Sequence, residues 1–493
     1  MAERSLARLA EQSLERNGDY PALHFEGEWL SSAELHARAR RLARGLAELG
    51  VEPGDRIVVF AANRPEVGIA YNAIWRAGAV VTPAIFLLPA PELRHIVEDA
   101  EPRALITTPE FADTAREAAG GARVIVTDDF AELESAGELE PVDRDDTDLA
   151  ALMYTGGTTG RAKGVMLTHE SLWLAGKAAR EAGSMPGVVR GLTALPLSHA
   201  YGLLVTVYGL HAVEREPTVL MRWFAADRWL ALAAEHRVQA AAVVPSMLQL
   251  LLAEPLEEHN LSELRYLASG AAPLPLELVE QLARRLPHVE VREGYGLTET
   301  SALVSSTPPG RSRPGSVGLP VPGVEVSIRD GGGREVPVGE VGEICCRSRL
   351  VMQGYWRAPE LTEDVVRDGW LHTGDLGRVD EDGYLYVVDR KKDLIIRGGF
   401  NVFPRDVEEA LVEHEGVEAA AVVGRPDSEC GEEVVAFVAG KVDADELVAW
   451  SRERIGGYKY PREVHVVGAL PLTPIGKVDR KALRARLLAR VEA

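Results

Sequence analysis

The sequence predicts an α/β protein in two parts: a large N-terminal domain of layered α/β sheets carrying a small β-barrel-like subdomain, and a small α+β C-terminal domain. Three observations carry this. Short apolar runs alternate with amphipathic helical stretches through the first half of the chain. Near Pro314 the texture becomes turn-rich, with short alternating strands. A charge cluster, "DRKKD", then precedes a compact final unit, which sets a boundary near Lys392 and domains at 1–391 and 392–493.

The elements follow in order. "MAERSLARLAEQSLERNGD" is charged and helix-like, with no apolar signal core. "SSAELHARARRLARGLAELG" reads as an amphipathic helix ending in glycine. "DRIVVFAA", "RALITTP" and "ARVIVTDD" read as short buried strands. The most apolar stretch, "AGAVVTPAIFLLPAP", is broken by prolines and too short to span a bilayer. "DLAALMY" is a further buried strand, and "VMLTHESLWLAGKAAR" picks up helical spacing after it. Downstream, "VQAAAVV" runs into "PSMLQLLLAEP" and "LRYLAS" into "GAAPLPLELVEQLARRL", with proline suited to a helical first turn. "GRVDEDGYLYVVD" is a hairpin turning at Asp382-Gly383. The last unit holds the helix "FPRDVEEALVEH", the hairpin-like "EAAAVVGRPDSECGEEVVAFVAG" and the helix "DADELVAWSRERI".

Charge and cysteine usage narrow the function classes. Lysines and arginines number 54 against 75 acidic residues, a net charge of −21, which argues against a nucleic-acid partner. Cys345 and Cys346 are neighbours in an apparent strand and face opposite ways; with Cys430 they form no pair at metal-ligand spacing. Inert structural thiols are expected, with no disulfide framework. A cytoplasmic protein with no integral membrane segment is the default expectation.

The chemistry starts at "YTGGTTGRAKGVMLTH". Bare amides, hydroxyls and a lysine on a flexible turn are what phosphate needs, although an ordinary glycine-rich turn has the same composition. Lys163 comes too late after Gly160 for a Walker loop, and the dinucleotide fingerprint is absent. "GYGLTET" presents Thr298 and Glu299, a carboxylate suited to magnesium, or else a capped helix start. "LHTGDLG" supplies Asp375, able to accept both hydroxyls of a ribose or to cap a turn. "LPLSHAYGL" puts His199 on a loop after a strand, and "PLTPIGKVDRKAL" brings Lys477 on a Gly-Pro loop. Each motif alone is weak.

Together and in this order, with "ASGAAPL", "GYWRAPELTEDVVRDGWLHTGDLG" and "VDRKKDLIIRGGFNVFPRDVEE", the motifs resemble those of the adenylate-forming acyl-CoA synthetases over essentially the whole chain. The resemblance implies a mobile C-terminal domain and an ATP-dependent carboxylic acid–CoA ligase. It would make an acyl-adenylate and pyrophosphate, then pass the acyl group to coenzyme A. ATP, Mg²⁺ and coenzyme A are the implied cofactors and co-substrates, and a homodimer is left open. The resemblance gives Lys477 the bridge between carboxylate and α-phosphate, where fixed positive charge meets developing charge. It gives the β and γ phosphates to Thr155, Gly156, Gly157, Thr158, Thr159, Gly160 and Lys163. Thr298 would contact the α-phosphate and Glu299 would hold Mg²⁺. Asp375 and Arg390 would grip the ribose, and Tyr295 would stack on adenine opposite Gly270, Ala271 and Ala272. His199 would line the carboxylate and thiol entry. Lys392 falls at the family hinge, and Gly398 and Gly399 would let the pantetheine arm pass close to backbone.

Gly157 stands where many relatives carry serine. The implied acyl wall is Tyr201, Val244, Met247, Gly270, Gly296 and Leu303. It is apolar, which favours a medium- or long-chain fatty acid or another apolar or aromatic acid over a dicarboxylate. The alternative is an acyl-AMP ligase loading a carrier-protein thiol. Such relatives carry an extra insertion, which is not seen between Gly294 and Arg390.

Overall fold

The computed structural model describes residues 4–134, 137–155, 162–427, 429–473 and 478–491. It divides into two compact units, Met1–Val326 with Cys346–Leu371, and Ser327–Cys345 with His372–Ala493. The layered α/β architecture and the small C-terminal domain are both present.

The first unit holds two large sheets. One has seven strands in the order Gly354–Tyr355, Lys163–Thr168, Leu149–Thr155, Val80–Ala84, Arg56–Phe60, Ala104–Thr107 and Arg123–Val126. Its strands from Leu149 onward in that order are parallel, as the continuous apolar runs require when both faces are covered. The other has nine strands, with Glu290–Tyr295, Tyr266–Ser269, Ala240–Val243, Gly191–Thr193, Thr218–Leu220 and Pro21–Phe25 forming its parallel middle.

Helix boundaries have local causes. Ser31 caps helix Ser32–Glu48 by accepting from the Glu34 amide, and Gly50 then takes the left-handed conformation that lets the chain turn away. Proline opens helices Pro65–Arg76 and Pro245–Ala253, where its missing N–H costs nothing. One expectation is corrected. Val165–Thr168 belong to strand Lys163–Thr168, and the helix begins only at His169. A capping box decides it, since Thr168 accepts from the Ser171 amide while Ser171 accepts from the Thr168 amide. The segment between Thr155 and Lys163 therefore joins two antiparallel strands, with Thr155 paired to Lys163.

In the second unit, Phe400–Val402, Ile395–Arg397, Gly431–Gly440 and Val417–Asp427 form an antiparallel sheet extended by Glu463–Val467. Val422, Val434, Ala436 and Val438 pack from this sheet onto Val407, Leu411 and Leu447 of its helices. A smaller β region carries Trp370–Val379 beside Leu385–Arg390. Among the described residues, no helix is long and apolar enough to cross a membrane.

Candidate active site

Four neighbouring parallel strands of the nine-stranded sheet end on one edge, and the segments leaving them hold the predicted acyl residues and part of the predicted nucleotide set. Gly191–Thr193 leads to His199, Ala240–Val243 to Val244, Tyr266–Ser269 to Gly270–Ala272, and Glu290–Tyr295 to Thr298 and Glu299. The carboxyl ends of parallel strands are where α/β sheets place ligands.

Backbone geometry fixes these loops. A Cβ on Gly296 would lie 2.3 Å from the Ala302 carbonyl carbon, so only glycine fits there. The turn Thr298–Thr300 is followed by Ser301 and Ala302, both at positive φ (52° and 67°), and Ala271 is also left-handed at 68°. Non-glycine residues in that region carry strain, which marks both loops as held in place by their surroundings. The Thr300 hydroxyl accepts from the Leu297 amide at 2.9 Å and donates to the Leu297 carbonyl at 3.0 Å.

Glu299 is seated by a residue the sequence reading did not single out. Tyr355 donates its hydroxyl to Glu299 Oε1 at 2.8 Å, and Lys163 Nζ lies 5.2 Å from the centre of the same tyrosine ring. Burial, and then the Glu299 charge, push the Tyr355 phenol well above its ordinary value, so it remains a donor. Lys163, Tyr355 and Glu299 thus lie in sequence at the foot of the glycine-rich segment. Gly156, Gly157, Thr158, Thr159 and Gly160 of that segment lie outside the described residues, as does Lys477.

His199 is the N-cap of helix Ala200–Leu210, its Nδ1 accepting from the Tyr201 amide at 3.2 Å. A second unpredicted residue, Asn63, anchors the chain before it. The Asn63 amide donates to the carbonyls of Leu195 (2.8 Å) and Met221 (3.1 Å) and accepts from the Leu197 amide at 2.9 Å. Tyr201 donates to the Ala268 carbonyl at 2.9 Å, and a Cβ on Gly270 would stand 3.4 Å from its ring. Met247 and Leu303 sit in two different buried apolar clusters, and Tyr201 packs against both; Val244 packs against the first. Of the predicted acyl wall, Tyr201 is thus the common neighbour.

The second unit carries the remaining predictions. Asp375 is buried at 6 % exposure and is the cross-strand partner of Arg390, whose Nε lies 3.4 Å from Asp375 Oδ1. The Asp375 amide donates to the Thr373 hydroxyl at 3.1 Å, and that hydroxyl donates to the Ile344 carbonyl at 2.7 Å. Burial, and then Arg390, lower the Lys392 ammonium below its ordinary value. Gly398 and Gly399, at φ 58° and 81°, form the turn between strands Ile395–Arg397 and Phe400–Val402. Positive φ at both central residues fits a tight hairpin turn, which alone calls for glycine at these positions.

Glu299 fits a magnesium site on its chemistry. Tyr355 occupies one carboxylate oxygen, and the other is a hard donor of the kind Mg²⁺ shares with phosphate.

Residues 10–356 match the family described as AMP-binding enzyme, and residues 406–477 match the AMP-binding enzyme C-terminal domain. A feruloyl-CoA synthase of Amycolatopsis sp is 40 % identical over 482 residues, covering 94 % of this chain and 95 % of that protein. A long-chain-fatty-acid–CoA ligase of Salmonella typhimurium is 33 % identical over 537 residues, covering 99 % and 95 %. The crystal structure of ATP-bound MatB from Rhodopseudomonas palustris superimposes with a TM-score of 0.91 at 33 % identity, covering 97 % of this chain and 98 % of that one.

Proposed function

The chain belongs to the AMP-binding enzymes, and on that premise we propose that it joins an apolar carboxylic acid to coenzyme A in two steps. In the first, a carboxylate oxygen attacks the α-phosphorus of ATP, and the bond to pyrophosphate breaks. In the second, the thiol sulfur attacks the acyl carbon, and AMP leaves with the bonding pair. Adenylation is needed because oxide is a poor leaving group and AMP an acceptable one.

The observation that carries this reading is the edge where four parallel strands end. It brings Glu299, held by Tyr355, to the apolar side chains around Tyr201. Thr155 and Lys163 flank the phosphate segment there, and Thr298 contacts the α-phosphate. Tyr295 stacks on the adenine. Asp375 and Arg390 serve the ribose, and Lys477 neutralises charge between the two anions as they approach. Mg²⁺, when bound, would offset phosphate charge, and Glu299 is the residue that would hold it. His199 lines the entry for carboxylate and thiol. The small domain turns about Lys392 between the two steps, exchanging Lys477 for the Gly398–Gly399 turn.

The acid is apolar and carries one carboxylate. A medium- or long-chain fatty acid and an aromatic acid both suit the Tyr201, Val244, Met247 and Leu303 wall, and the named relatives include one of each kind. The deciding experiment follows pyrophosphate release from Mg-ATP. The acids run from acetate to palmitate, with benzoate, ferulate and malonate added, with and without coenzyme A, and products are identified by mass. A thioester from one band of acids supports the proposal. Pyrophosphate and acyl-adenylate without thioester would pass the acceptor role to a carrier-protein thiol, and turnover of malonate alone would overturn the apolar wall.

A further inference from the structure

Strand Gly342–Ser348 places Glu343 and Cys345 two residues apart, hence on the same face, and His372 stands on the adjacent strand opposite them. The three ligand atoms all lie within 4.8 Å of one another. Cys345 Sγ is 3.4 Å from His372 Nδ1, and His372 Nδ1 is 3.1 Å from Glu343 Oε2. With bonds of about 2.0–2.3 Å, two donors on one tetrahedral zinc lie about 3.3–3.6 Å apart, so the two separations to His372 need only small adjustment. Cys345 is fully buried and Glu343 nearly so, at 0 % and 8 % exposure. A thiol, an imidazole and a carboxylate form a donor set that suits zinc and does not suit magnesium.

We propose that Glu343, Cys345 and His372 form a binding site for zinc or a similarly thiophilic divalent cation, separate from the magnesium expected at Glu299. One positive group already stands at the site. Lys391 Nζ lies 3.0 Å from Glu343 Oε2, and its side chain is 55 % exposed. A half-exposed ammonium on a flexible stem can swing into solvent, so Lys391 is a competitor that the metal displaces. Glu343 Oε1 also accepts from the Gly374 amide at 3.2 Å, one residue before Asp375. Metal seated between Glu343 and His372 spreads donor atoms that now stand 3.1 Å apart and shifts that segment, and zinc therefore inhibits adenylation. This last consequence rests on the ribose role proposed for Asp375; the binding itself does not.

Cobalt(II) is the probe, because thiolate ligation gives it an intense near-ultraviolet charge-transfer band that oxygen and nitrogen donors do not. The full chain, stripped with EDTA, is titrated with CoCl₂ and then competed with ZnCl₂. The expected result is one equivalent of band. It is absent in Cys345→Ser, retained in Cys430→Ser, and weakened at least about tenfold in affinity in His372→Asn. Lys391→Met should tighten binding by about two- to fivefold, since it removes a half-exposed competing charge. Should Cys345→Ser fail to fold, His372→Asn and Lys391→Met carry the test. Absence of any band, a band that survives in Cys345→Ser and is lost in Cys430→Ser, or unchanged affinity in Lys391→Met overturns the site. ATP–pyrophosphate exchange is read in parallel, and half-inhibition by zinc should move to lower concentration in Lys391→Met. No exchange with any acid would defeat the ligase reading while leaving the cobalt band to judge the metal site.

Discussion

Tyr355→Phe removes one oxygen and leaves the ring in place. The lost bond is the 2.8 Å donation to Glu299 Oε1; the ring face near Lys163 Nζ, 5.2 Å away, is kept. A hydrogen bond to a charged group contributes about 1.5–3 kcal/mol, which sets a ceiling of roughly tenfold to 150-fold on the rate effect. We expect ATP–pyrophosphate exchange at saturating acid to fall at least about threefold within that ceiling. The Mg²⁺ dependence should shift as well, because the carboxylate proposed to hold the metal loses its orientation. Thermal stability should fall by no more than that hydrogen bond contributes, since the ring still fills its place. Tyr355→Ala should lose a further ~0.5–2 kcal/mol as the contact with Lys163 disappears. The phenol is held above its ordinary value, so no Tyr355 ionisation should enter the profile below about pH 10. Exchange by Tyr355→Phe equal to wild type at every Mg²⁺ concentration would refute the idea that this hydroxyl aims Glu299.

The other expectations can be stated briefly. Asn63→Ala removes three buried hydrogen bonds, at about 1 kcal/mol each, and should lower stability by roughly 2–4 kcal/mol in urea denaturation; a change under 1 kcal/mol would deny it the anchoring role. His169 is fully buried, accepts from the Leu6 amide at 3.3 Å, and is held by burial, and then by Arg144, down to about 4. The unfolded chain takes up that proton near pH 6.5 and the folded chain only near pH 4, so stability is lost as pH falls through this window. The gap corresponds to roughly 3 kcal/mol, and urea midpoints measured from pH 7 to 5 should fall less steeply in His169→Gln. Equal slopes in the two proteins would rule His169 out as a source. Lys477→Ala should slow adenylation by roughly 10²–10³ while sparing thioester formation from supplied acyl-adenylate, and equal loss in both steps would contradict its assigned role.

Much of the fold is legible because parallel strands such as Arg56–Phe60, Ala104–Thr107 and Ala240–Val243 are short apolar runs followed by helical stretches. Pro245 marks a helix start that needs no tertiary context. Val165–Thr168 fits either period because three apolar residues before a threonine are too few to tell strand from helix, and the capping pair Thr168 and Ser171 lies inside the run. Thr298, Glu299, Asp375 and Arg390 could be picked out because their motifs are contiguous. Tyr355 and Asn63 could not, since the partners that define their roles lie 56 and 134 residues away. The Glu343, Cys345 and His372 cluster escaped for a related reason. Spacing along the chain does not reveal it, because two donors alternate on one strand and the third comes from the next.

The chain between Thr155 and Lys163 leaves one strand and enters another. Many phosphate-binding loops instead run straight into a helix, whose aligned peptide units lend a fixed partial positive charge. Here the helix starts only at His169, after a whole strand has intervened. Triphosphate bound by this loop would be offset by Lys163 and by ions drawn from solution, without the macrodipole of the helix that follows, which begins only at His169. Such an arrangement makes nucleotide affinity respond to ionic conditions, so dilution of divalent cations should loosen ATP more steeply than it would in a protein with a helix behind its loop.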